Sequence, residues 1–143
     1  MVIAMPSLFL YAAEAVVMYS VFEYAQRLSS GEDADLVNIV VDMSKRYMDG
    51  KVLDIDLIDT AFINISVDYH AMTGRSVYDI YDIFRFGYKP SCDILGWMLG
   101  LFQIMKDDME KIKKFEGGDA KWIELVRILE DKARHIFQSL CHG

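Results

Sequence analysis

The sequence predicts an all-α fold: a single helical domain over residues 1–143, of about six helices packed around an apolar central helix. Three observations predict it. The length, 143 residues, is that of one domain. Apolar residues make up 53% and charged residues 26%, the composition of a chain with a core rather than of a disordered segment. Stop signals at Ser29-Ser30-Gly31, Gly50, Gly74, Gly87 and Gly117-Gly118 divide the chain into stretches whose apolar residues recur at helical spacing.

Each element has its own justification. Pro6-Ser7 reads as a helix start, and the run from Leu8 to Leu28 is apolar on nearly every face. No Lys or Arg precedes Arg27, so a cationic signal-peptide start is missing, and Glu14 within the run argues against a lipid-spanning helix. A buried helix, or one that pairs with a second copy through 8–28, suits it better. Asp33 or Asp35 starts a second helix, because an acidic side chain favours the positive N-terminal end. Its apolar face is Leu36, Val37, Val40, Val41 and Met43 or Tyr47, and Gly50 ends it.

Lys51 to Met72 supports two readings. Val52, Ile55 and Leu57 alternate with aspartates, and Ile63, Ile65, Val67 and Tyr69 alternate with polar residues, which would suit a short β-hairpin within 51–70. Leu57, Ile58, Ala61, Ile65, Tyr69 and Met72 equally share one helical face. An isolated hairpin is marginally stable and no other strand is evident, so a helix from about Asp56 to Met72 is expected.

Ser76-Val77-Tyr78-Asp79 has the form of a capping box, opening a short helix to Phe86. Gly87 to Pro90 is a turn, Ser91 caps a long helix from Cys92 to Phe115, and Asp119 starts a last one over Ala120 to Leu140. Within the long helix, Ile94 to Met105 is apolar all round, with Gly96 and Gly100 four apart. Each glycine costs about 1 kcal/mol against Ala, which close approach of another helix would offset. This stretch is therefore expected to be the central, buried helix. Cys92 and Cys141 read as reduced thiols of a cytoplasmic protein, since two cysteines do not make a disulfide scaffold.

Charge restricts the function classes. The net charge is −7, and all of it lies in residues 1–93, which carry seven basic and fourteen acidic groups; the remaining residues carry eight of each. Such a chain repels phosphate backbones and anionic membrane surfaces, so neither nucleic acid nor membrane is an expected partner. No P-loop, G-x-G-x-x-G, H-E-x-x-H or calcium-loop pattern occurs, and no cofactor or metal is expected. His70, His135 and His142 match no ligand spacing, although Cys92 with His70, or Cys141 with His135, would supply a nucleophile and base if the fold joined them.

Two patches stand out as partner-binding candidates. Tyr78, Asp79, Tyr81 and Asp82 place aromatic and acidic groups together, and Asp54, Asp56 and Asp59 form an acidic cluster. Tyrosine and other aromatic residues are enriched at interface centres, and acidic faces steer basic partners.

Ile83-Phe84-Arg85-Phe86-Gly87 followed by Gly96-Trp97 loosely resembles the first homology region of the apoptosis-regulating Bcl family. Gly117-Gly118-Asp119-Ala120-Lys121-Trp122 loosely resembles its second. The family's Trp-Gly-Arg order is reversed here, its Arg has no counterpart, and the stretch between the two regions is shorter. The resemblance implies an apolar helix wrapped by amphipathic ones, with a groove for a partner helix, but without the ion-pair anchor.

The expected function is therefore a non-enzymatic protein–protein interaction module, a small acidic inhibitor or adaptor that binds a partner with a basic surface. The alternatives are a divergent Bcl-like helix-in-groove binder and a small helical enzyme built on a His/carboxylate site such as His70.

Overall fold

A computed structural model describes residues 7–49 and 54–142. These form six helices: α1 (Leu8–Ser29), α2 (Leu36–Tyr47), α3 (Ile55–Thr73), α4 (Tyr78–Phe86), α5 (Cys92–Glu116) and α6 (Lys121–Cys141). No strand occurs among the described residues. The expected roles of Pro6, Gly50, Lys51 and Val52 fall outside them.

Helix starts follow from side chains that satisfy orphan N–H groups. Ser7 Oγ accepts from the Leu10 N–H, Asp35 Oδ1 from Asn38, Asp54 Oδ1 from Leu57, and Ser91 Oγ from Ile94. At α4 the expected box is looser. Ser76 Oγ accepts from Tyr78, two residues on, while the Asp79 N–H goes to the Ser76 carbonyl. Two glycines are needed where they stand. Gly87 ends α4 at φ +70°, and its carbonyl accepts the Tyr24 hydroxyl at 2.6 Å, tying α1 to the α4–α5 turn. A Cβ at Gly118 would meet Leu8 Cδ1 at 2.8 Å, so the α5–α6 turn closes directly over the start of α1.

The central helix is α1, not the Ile94–Met105 stretch of α5. It packs most extensively against α6, then α2, α5 and α3, and Ala12, Val16, Val17, Met18 and Phe22 are fully buried. The physical reason lies in the solvent-facing side of α5. Gly100, Gln103 and Ile104 are exposed, and nothing approaches within 4 Å of a Cβ built at Gly100. Only Gly96 lies close to a helix neighbour, Phe137 of α6 at 3.5 Å. Among the described residues α1 alone is long and apolar enough to cross a bilayer, and 72% of its most apolar window is buried within the protein. Most of the apolar surface that suggested self-pairing through 8–28 is thus covered by the chain's own helices.

Residues 55–73 are helical, which replaces the hairpin alternative wherever that segment is described. The alternation in sequence arises because α3 carries two apolar stripes. Ile58, Phe62, Ile65 and Tyr69 face the core, whereas Leu57, Val67 and Met72 are exposed. Buried Ser66 sits in this helix by returning its hydroxyl to the Phe62 carbonyl at 2.6 Å.

The cysteines are not free thiols. Cys92, at the start of α5, is bonded to Cys141, at the end of α6. Their separation of 49 residues gave no sign of this; the antiparallel α5–α6 pair brings them together. The argument for a cytoplasmic protein from reduced thiols loses its premise, since disulfides persist mainly in oxidising compartments.

Candidate functional site

The sequence-predicted partner residues gather on α3 and α4, in part as internal structure. Asp54 is the α3 cap. Tyr81 donates its hydroxyl to Asp59 Oδ1 at 2.5 Å, joining α4 to α3, and this bond holds the Tyr81 proton on. Asp82 pairs with Arg85 at 2.8 Å, and the Arg85 guanidinium lies over the Phe86 ring at 4.3 Å. Tyr78, Asp79 and Asp56 are exposed, as are Phe86 and Tyr88. The patch is aromatic and solvent-facing, but two of its seven predicted acids and tyrosines, Asp59 and Tyr81, are bonded to each other.

A larger feature lies on the other side of α3. A cleft of about 620 Å³ opens between α3 and α5, with α1 as its third side. Each helix contributes one stripe. Leu57, Ala61, Asn64, Val67, Asp68 and Met72 come from α3; Leu101, Ile104, Met105 and Asp108 from α5; and Leu10, Tyr11 and Glu14 from α1. Leu10, Leu57, Val67, Met72 and Ile104 are between 42% and 53% exposed, so the cleft is apolar and reachable by a ligand. An edge-to-face contact of Tyr69 with Trp97, ring centres 5.0 Å apart, joins α3 to α5 behind it.

Its electrostatics are one-sided. Glu14, Asp68 and Asp108 line the cleft, and among the described residues no Lys, Arg or His does. The Tyr11 hydroxyl donates to Asp108 Oδ2 at 3.3 Å, and burial together with that carboxylate pushes its pKa up to about 12. Glu14 is pushed up to about 7, first by burial and then by the negative charge of Asp68. Burial also raises Asp68. Among the described residues no hydrogen bond or ion pair reaches the Glu14 carboxyl.

None of the seven predicted partner residues lines this cleft, nor do the residues that carry the Bcl resemblance. The sequence offered two signals for it. Glu14 is the only charge between Leu8 and Phe22, and α3 has more apolar positions than one face can use. The histidines lie elsewhere. His70 is exposed at the end of α3, with Nδ1 2.7 Å from the Arg75 carbonyl oxygen, and His135 is exposed on α6. The nucleophile pairings of Cys92 with His70 and Cys141 with His135 are ruled out in this form of the protein, because both sulfurs are in the disulfide. Comparison with known proteins finds no matching family model, no matching curated protein and no matching solved structure.

Proposed function

We propose that this protein is a non-enzymatic interaction module, an acidic inhibitor or adaptor that binds another protein through the α1–α3–α5 cleft. One observation carries the reading: an open apolar cleft, built from three helices, that among the described residues contains three carboxylates and no basic side chain. Contiguous exposed apolar surface rimmed by polar groups marks interaction sites on soluble domains. Carboxylates in such a site draw in cationic partners and reject acidic ones. The chain's net charge of −7 extends the same selection to longer range. The aromatic patch of Tyr78, Phe86 and Tyr88 is the competing surface.

Affinity capture from the source cells, with cleft and patch variants run in parallel, tests the proposal. Val67→Asp with Met72→Asp should abolish a stoichiometric partner that Tyr78→Ala with Phe86→Ala retains, with thermal melts matching the parent. Capture of no partner by the parent chain, or loss of the partner from the patch variant alone, would overturn it.

A further inference from the structure

We propose that the occupant of the cleft is an amphipathic helix of the partner protein whose apolar stripe is interrupted by one Lys or Arg, seated between Glu14 and Asp68. This rests on the reading that the cleft binds a protein, and it adds the chemistry of the bound segment.

The first argument is shape. The lining residues of α3 run from Leu57 to Met72, about 22 Å of helix at about 1.5 Å per residue. Leu101, Ile104, Met105 and Asp108 form a shorter stripe on α5, about 10 Å or two turns long. A cleft walled by helical stripes at least two turns long suits a rod that presents anchors at i, i+3 or i+4, and i+7, which is how amphipathic helices dock in grooves.

The second argument is charge. Glu14, Asp68 and Asp108 face an apolar space with no cation among the described residues of its lining. Asp108 already accepts the Tyr11 hydroxyl, whereas among the described residues Glu14 has no partner. The groups that share the cleft with Glu14 are Asp68 from α3, Asp108 from α5 and Tyr11 from its own helix; burial and the charge of Asp68 disfavour its ionised form, and none of these groups is cationic. Among the described residues no positive charge is placed to pair with this carboxyl. A Lys or Arg on the incoming helix supplies it and displaces the Glu14 proton, which makes capture proton-linked: stronger as the pH rises through the range in which free Glu14 holds its proton. A second copy of this chain is a poor occupant, because a net charge of −7 on each copy opposes their meeting at an acidic cleft.

The test uses the full chain and labelled designed helices of about 16 residues. Each carries the same apolar stripe, with Lys, Gln or Glu at its central cleft-facing position, and binding is read by fluorescence anisotropy. The Lys helix should bind about tenfold or more tighter than the Gln helix, with the Glu helix weakest. Glu14→Gln, and separately Asp68→Asn, should each bring the Lys helix down towards the Gln helix. Affinity for the Lys helix alone should rise between about pH 5.5 and about pH 8. Equal binding of the Lys and Gln helices overturns this inference and leaves the protein-binding reading standing. Binding of a long-chain alkylammonium probe with no binding of any helix also overturns it, in favour of a small amphiphilic cation. Failure of the capture experiment above is the separate outcome that removes the protein-binding reading itself.

Discussion

The two sides of α5 treat a carboxylate in opposite ways. Toward α6 the interface is sealed. Glu130 is buried, but its Oε1 receives Lys106 Nζ at 2.7 Å and Arg134 lies 3.9 Å from its Oε2, while Cys92–Cys141 closes the end of the same interface. Toward α3 the interface is open. Glu14 faces a cleft with Asp68 for company and no cation. An acid at the sealed side is neutralised within the chain, and an acid at the open side is left for something else to neutralise. A charge removed from water is tolerated only when paired, so the difference separates a structural carboxylate from one that is available to a ligand.

Opening the sealed side should have the largest effect. In the chain-entropy description, losing a cross-link over 49 residues costs about 4 kcal/mol. Denaturant unfolding with and without reductant should show that loss, and an unchanged midpoint would mean that α5 and α6 are held by packing alone. Next comes the ion pair. Lys106→Met leaves Glu130 with only the more distant Arg134 and should cost about 3 kcal/mol at neutral pH.

The open side should respond with the opposite sign. Glu14 is raised in the folded chain from 4.5 to about 7, so the folded state holds a proton that the unfolded chain gives up across that window. The group therefore costs nothing below about pH 4.5, and stability falls as the pH rises towards 7. Glu14→Gln should stabilise by about 2 kcal/mol at pH 8, a figure reduced for the partial exposure of the cleft, and by nothing at pH 4. Melts at the two pH values decide it, and a variant that is less stable at pH 8 would make Glu14 a structural acid like Glu130.

A smaller effect distinguishes cap from contact on the wall of the cleft. Asp54→Ala should cost about 1 kcal/mol through the lost Leu57 N–H bond, with no change in helix binding. Smallest of all, Val67→Asp should alter stability by less than about 0.5 kcal/mol, since the side chain is half exposed, while abolishing docking in the cleft.

Helix number, limits and most caps could be read from the residues because they depend on local chemistry. Ser7, Asp35 and Ser91 each act within three residues of themselves. The choice of central helix could not. Leu8–Leu28 and Ile94–Met105 are both apolar on nearly every face, and only the packing shows that Ile104 and Gly100 look outward. The pairing of Cys92 with Cys141 and the meeting of Glu14 with Asp68 are set by how helices lie against one another, which no short-range pattern encodes. The acidic cluster was visible as composition, but its members have different tasks: Asp54 caps, Asp59 accepts from Tyr81, and Asp56 is solvent-facing.

The bond between Cys92 and Cys141 also changes what a cut chain would be. It turns α5, the Gly117-Gly118 turn and α6 into a closed covalent ring. That exposed turn is where a protease would find non-helical backbone, and a nick there would release no fragment. The piece bearing α6, with its contacts to α1, would stay attached through sulfur, and the two halves would part on a gel only after reduction.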